Sequence, residues 1–315
     1  MHRIIFDCDP GVDDAVALML AFAARDNIEI LGITSVAGNV GIETTTRNAC
    51  LLRQIAGRQD VGVYRGLDRP MVKTAVLADD FHGPDGLGNY PVFTPDKGPE
   101  DQSGVDFIID TIRSNLTKSV TLAVTGPLTN IATALQLAPD IATQIKDIVL
   151  MGGARIEGGN ITASAEYNIY ADPDAAAIVL GSGCPLVVIG LDATHQVRAT
   201  PARIARLEAL DNPVAKLVAN TLHFSNTLAG NMEGATGAPL HDPCVIAYLI
   251  APHLFKVRPA SIRVETESDL TRGHTAIEFR ADYGGVPFNA AWVTHIDDDG
   301  LFALLEGAFA TCQNL

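Results

Sequence analysis

Short apolar, β-branched runs alternate with helical patterns along most of the chain. Residues 3–8, 28–36, 120–124, 147–151 and 186–190 read as strands, and residues 13–24, 42–56, 105–114, 130–136 and 173–181 as helices. Runs such as IIF and LAV are apolar without strict alternation, which is the pattern of strands covered on both faces. The order therefore predicts an α/β fold: a single large domain, residues 1–315, with a mostly parallel, Rossmann-like central sheet flanked by helices. Residues 79–102 break the pattern, because six glycines and prolines fall between Gly83 and Pro95 in polar surroundings. A loop of that length inside a compact domain is usually either a functional lid or disordered. Residues 212–242 mix a helical pattern with glycines and are expected to form a second rim of a cleft.

Composition narrows the class of partner. With 315 residues, 47% of them hydrophobic, the chain can bury a large core. Its 22 basic and 37 acidic side chains give a formal charge of −15, which disfavours nucleic-acid polymers and anionic membranes. The opening MHRIIFDCDP lacks the regions of a signal peptide. The longest other apolar stretch, residues 175–191, is broken by Gly181, Gly183 and Pro185. Five cysteines without CxxC spacing point to reduced, buried thiols, and the expected location is cytoplasmic.

The chemistry concentrates where the first strand ends. DCDPGVDD places Asp7, Asp9, Asp13 and Asp14 between the strand IIF and the helical run AVALMLAFAA. Open α/β sheets bind ligands at that end of their strands. Helix capping accounts for one or two aspartates there, not four. Like charge so crowded calls for a bound cation, and hard divalent ions take carboxylate oxygens. A DxD after a first strand also fits a haloacid dehalogenase-type, Mg-dependent phosphatase, but no basic residues surround this one to hold phosphate.

DCDPGVDDAVAL resembles the amino-terminal signature of the inosine-uridine-preferring nucleoside hydrolases. ITSVAGN, VTGPLTNIA, VLMGG, GNITASAEYNIYADPDAA, GLDATHQ and HDPC follow in that family's order, from about residue 3 to residue 245. The resemblance implies the nucleoside hydrolase fold and calcium-dependent hydrolysis of the N-glycosidic bond of ribonucleosides. A non-catalytic nucleoside- or ribose-binding protein on the same fold is the alternative. It implies Ca2+ held by Asp9, Asp14, the main-chain oxygen of Thr125 and Asp242, and metal-bound water activated by Asp9 to attack C1′. It assigns Asp13, Asn39, His82, Met151, Asn160, Glu166 and Asn168 to the substrate and His241 to proton donation at the leaving base; Asp7 becomes a support for its neighbours. It further implies a homodimer or homotetramer.

Taken alone, several of these positions have plainer readings. Asn39 suits a turn and Thr125 a local hydrogen bond. Glu166 and Asn168 suit a solvated loop capped at Asp172 or Asp174, and Asp242 suits a helix cap. His195, near a strand end, reads as structural. Selectivity for the base is expected in residues 79–90 and 222–237. The second stretch carries Phe224 but no Tyr or Trp, and the one tryptophan, Trp292, lies far away in sequence, against a site that sandwiches purines between tryptophans.

Overall fold

The structure is a computed structural model and describes residues 1–229, 236–281 and 285–312. At its centre lies β1 (His2–Cys8), buried from Ile4 onward. Its pleat divides the core: Ile4, Phe6 and Cys8 join one apolar cluster and Ile5 the other. After β1 come α1 (Val12–Ala23), β2 (Ile28–Ser35), α2 (Ile42–Ile55), the short β3 (Val63–Arg65), α3 (Asp79–His82) and α4 (Gly104–Ser114). The chain then crosses to the other side of β1 with β4 (Val120–Val124), α5 (Thr129–Leu137), β5 (Asp147–Met151), α6 (Tyr167–Ala171), α7 (Pro173–Leu180) and β6 (Leu186–Ile189). These strands lie parallel in the order β3-β2-β1-β4-β5-β6. The progression reverses between β1 and β4, and a crevice opens at the carboxyl ends of the two strands beside such a reversal.

Beyond β6 come α8 (Leu191–Thr194), β7 (Arg198–Ala199), α9 (Pro201–Glu208), α10 (Pro213–Ala229), β8 (Ala238–Pro239) and α11 (Pro243–Ile250). β7 and β8 pair as a small antiparallel ribbon. The last segment adds β9 (Phe255–Val264), β10 (Thr275–Glu278), β11 (Ala290–Ile296) and α12 (Asp298–Ala310). β11 lies parallel to β6, while β9 and β10 continue the sheet antiparallel. The described sheet thus has nine strands. Helices α1, α10, α11 and α12 cover one face and α4, α5 and α7 the other, as the unalternated strands predict.

Every strand expected from the pattern is present, with ends shifted by two residues at most. β3, three residues long at the sheet edge, carries too little pattern to stand out. Residues 79–102 are pinned rather than loose. Leu87 is wholly buried, and the Asp85 carbonyl accepts hydrogen bonds from Arg47 and Asn48. Gly83, Gly86 and Gly88 all take positive φ there, which explains the glycine density. Among the described residues no helix is long and apolar enough to cross a membrane. All five cysteines are buried free thiols.

Candidate active site

Asp7 is the next-to-last residue of β1, with Thr34 of β2 and Val124 of β4 beside it in register. Its Oδ1 accepts hydrogen bonds from Thr34 (2.5 Å) and from Asn130 of α5 (2.8 Å). The Asn130 amide also reaches the Ser35 carbonyl, and Thr125 N donates to the Asp7 carbonyl. Asp7 therefore fixes the ends of three strands to one another. Burial raises its carboxyl to about pH 7.

Asp9 sits where the chain leaves the sheet, and backbone presses on it from two sides. A Cβ at Gly38 would fall 2.1 Å from Asp9 Oδ2, and one at Gly126 2.7 Å from Oδ1. Only glycine lets the segments after β2 and β4 close in this way. Oδ2 accepts from Asn39 N (2.8 Å), whereas Oδ1 is enclosed and has no hydrogen-bond partner.

Asp14, in the first turn of α1, is held at both oxygens. Oδ2 accepts from Gly11 N (3.0 Å) and Asn39 Nδ2 (2.9 Å), and Oδ1 from Thr125 Oγ1 (2.6 Å). One carboxylate oxygen each of Asp13, Asp14 and Asp242 lie within 4.8 Å of one another. Asp242 stands at the start of α11, so tertiary structure completes a cluster begun by the amino-terminal motif. Burial is the first cause that raises the pKa of Asp9, Asp13, Asp14 and Asp242, and neighbouring carboxylates push Asp9, Asp13 and Asp242 further. Among the described residues no lysine or arginine forms a salt bridge with them.

The donor set fits a divalent cation. Hard oxygen donors converge from separate elements, two buried carboxylate oxygens of the motif, Asp7 Oδ2 and Asp9 Oδ1, lack a partner, and among the described residues no lysine or arginine pairs with the group. The main-chain oxygen of Thr125 lies in the same neighbourhood, because its hydroxyl holds Asp14.

Next to the carboxylates stands a polar wall. Asn168 Nδ2 donates to the carbonyls of Thr125 (2.7 Å) and Met151 (3.2 Å), bridging the ends of β4 and β5. Glu166 caps α6 and accepts from Asn168 N, Gly153 N and Ile169 N. Asn160 is exposed, and its Oδ1 accepts from Tyr167 N. The capping expected at Asp172 is present as well, through Ala175 N. Asn39 spends both amide protons on the Asp9 carbonyl and on Asp14, so within the protein it orients carboxylates.

Two histidines stand beside the carboxylate segments, His82 against the start of α1 and His241 next to Asp242. His82 Nδ1 accepts from Val12 N (3.1 Å), an approach allowed because a Cβ at Gly11 would lie 2.3 Å from that nitrogen. His241 Nδ1 pairs with Thr194 Oγ1 at 2.8 Å. Burial lowers the pKa of His82 to about 4 and, with help from His195, that of His241 to about 3. His195 lies 5.7 Å from His241, ring to ring, and its Nδ1 meets Glu157 at 2.9 Å. The two segments expected to set selectivity meet at Phe224, since a Cβ at Gly88 would come within 2.7 Å of its ring. Residues 230–235 of the second segment lie outside the described residues.

Sequence reading missed Thr34, Asn130 and Thr194 as supports. The one signal was polar side chains at positions buried in strand, helix and turn, and burial is visible only in the fold.

A chain carrying this crevice also matches, over residues 4–303, the family described as inosine-uridine preferring nucleoside hydrolase. The chain belongs to that family. It is 40% identical to the pyrimidine-specific ribonucleoside hydrolase RihA of Salmonella gallinarum, over 96% of each chain. It is 42% identical to an uncharacterised protein of Schizosaccharomyces pombe, over 96% of this chain and 97% of that one. The purine-preferring ribonucleoside hydrolase from Gardnerella vaginalis superposes with a TM-score of 0.91 at 32% identity, over 99% of both chains. The α/β architecture is that of nucleoside hydrolases, and the protein is a ribonucleoside hydrolase, an N-glycosidase.

Proposed function

We propose that this hydrolase releases free base and ribose from ribonucleosides with the help of a calcium-type cation held by Asp9, Asp14, Asp242 and the main-chain oxygen of Thr125. The observation that carries the reading is the buried carboxylate group without a compensating cation among the described side chains. Asp13 shares that cluster and, in this reading, faces the ribose at its edge. When bound, the cation supplies positive charge that makes a neighbouring water more acidic and orients sugar hydroxyls.

The protein's own groups do the remaining work. Asp9 Oδ1, without another partner, takes the proton of the attacking water. Asn39 and the glycines at 38 and 126 keep that carboxylate from turning away. Asn168 and Met151 lie against the ribose, the free amide nitrogen of Asn160 and the remaining lone pair of Glu166 take its 5′ hydroxyl, and the Asn39 Oδ1 faces the sugar. Binding in that frame supplies several kcal/mol of the barrier reduction by orientation. Cleavage passes through an oxocarbenium-like state by direct displacement, by analogy with O-glycosides. His241 serves the departing base, with His82 beside it. In this reading the chain works as a single cytoplasmic domain assembled into a homodimer or homotetramer.

A reducing-sugar assay across inosine, adenosine, guanosine, uridine and cytidine, with and without a stringent chelator, tests the reading. Ribose release lost on chelation and restored by Ca2+ is expected. Activity that survives complete metal removal would refute the metal.

A further inference from the structure

We infer that Thr194 is a positioning residue that selects the tautomer of His241, leaving its Nε2–H available to the departing base. The inference rests on the role proposed above for His241.

Thr194 closes α8 and is wholly buried. Among the described residues its hydroxyl has one hydrogen-bond partner, His241 Nδ1, at 2.8 Å. Two arrangements could fill that contact. If Nδ1 carried the proton and donated to Oγ1, the buried hydroxyl hydrogen would be left without an acceptor, at a cost of about 1–3 kcal/mol. If the hydroxyl donates, Nδ1 accepts and the ring proton of neutral histidine must sit on Nε2. Hydrogen-bond satisfaction therefore selects the second arrangement. Nε2 makes no hydrogen bond among the described residues, yet it is not one of the enclosed unpartnered atoms. It is therefore not fully enclosed, and its proton is free to donate.

The pairing is built into the fold from three directions. Gly190 ends β6 in a turn so tight that a Cβ would lie 2.1 Å from the Trp292 ring and 2.6 Å from the Gly153 carbonyl, and this turn launches α8. The Leu240 N–H donates to the Val197 carbonyl at 2.9 Å, which ties the segment before His241 to the segment after Thr194. The ribbon of β7 and β8 extends the same tie. A hydroxyl at 194 is thus presented to an imidazole whose position is already fixed.

The test compares Thr194→Val, Thr194→Ser and His241→Ala on uridine or inosine and on 4-nitrophenyl riboside, whose leaving group needs no proton. Thr194→Val is expected to lower kcat on the natural nucleoside by about tenfold to a hundredfold, the range for losing one hydrogen bond from Nε2–H to the negative charge that builds on the leaving base. Its kcat on the nitrophenyl substrate should change by less than about threefold, because that leaving group draws no hydrogen bond from His241 in the transition state. Thr194→Ser should restore most of the loss, and Thr194→Val should cost little further in a His241→Ala background, since the two act as one unit. Equal losses on both substrates, or full additivity with His241→Ala, would overturn the inference. If His241→Ala itself affects both substrates alike, the role of His241 fails and the inference with it; if only Thr194→Val does so, the inference alone fails. Nitrogen NMR of labelled histidine in the unaltered protein gives a readout independent of how the variants fold. A protonated Nε2 and bare Nδ1 at His241 are expected, and the opposite tautomer would overturn the assignment.

Discussion

The floor of the crevice and its rim are built on opposite plans. On the floor, Asp7, Asp9, Asp14, Asn39 and Asn130 are buried, and each is held by at least one hydrogen bond to another of them, to a threonine hydroxyl or to the backbone, while Asp7 Oδ2 and Asp9 Oδ1 stay unpartnered. On the rim, His82, Asn160 and His241 are only partly engaged, each tied at one atom and free at another. A carboxylate group that binds a small hard cation gains from rigidity, because reorganising like charges in low dielectric is costly. A rim that must admit and release a nucleoside needs free donors. Damage to the floor should therefore abolish the reaction, while damage to the rim should change which substrate is used and how well.

The largest effect is expected from Asp14→Asn. It keeps shape but sets an amide NH2 among donors from Gly11, Asn39 and Thr125 and removes a negative charge. Activity should fall on the order of a hundredfold or more on every nucleoside, since several kcal/mol of charge stabilisation depend on the cation. Calorimetric titration with Ca2+ should show the matching loss of affinity. A variant with normal activity and normal Ca2+ binding would show that the floor is not the metal site.

An intermediate effect is expected in stability against pH. Burial holds Asp7 near 7 in the folded chain against 3.8 for a free aspartate, and raises Asp9 and Asp242 in the same direction. The folded state then binds more protons than the unfolded one, so stability falls as pH rises through that window. His82 and His241, lowered to about 4 and about 3, act in the opposite sense, but only below the ordinary histidine value of 6.5. Without metal, Tm should therefore fall as pH is raised from about 6.5 to 8.5, and Ca2+ should raise Tm more at the upper end than at the lower. A metal-free Tm that is flat or rising across that range would contradict the raised carboxyls.

The smallest effect should come from the rim. Asn160→Ala removes one exposed amide whose carbonyl side holds Tyr167 N. KM for nucleosides should rise by about tenfold, the size of one hydrogen bond to substrate, with kcat changed less. Steady-state kinetics on a nucleoside and its 5′-deoxy analogue would separate the cases. Equal KM changes on both would remove Asn160 from the 5′ hydroxyl.

Much of the fold was legible because the strands around β1 are apolar on both faces and the helices between them have regular spacing. Asp9, Asp13 and Asp14 were legible because nothing ordinary explains so many carboxylates after a strand. The C-terminal strands β9, β10 and β11 were not. β9 alternates irregularly between buried and exposed positions and pairs with β11, some thirty residues further along the chain, so its place depends on a partner that local pattern does not reveal. Thr194 escaped notice for a related reason: a threonine beside a histidine in GLDATHQ says nothing of a second histidine 47 residues later.

By itself, then, the sequence determined the parallel α/β plan, the acidic motif at the end of β1 and the order of motifs that marks the family, because each depends on residues close together along the chain. The resemblance anticipated Asp242 in the cluster and a supporting Asp7, but only the tertiary structure gave the contacts that put Asp242 beside Asp13 and Asp14, tied strand ends together through Asp7 and brought Thr194 to His241. Those pairings come from different elements, and a hydrogen bond or a shared cation depends on distance in space.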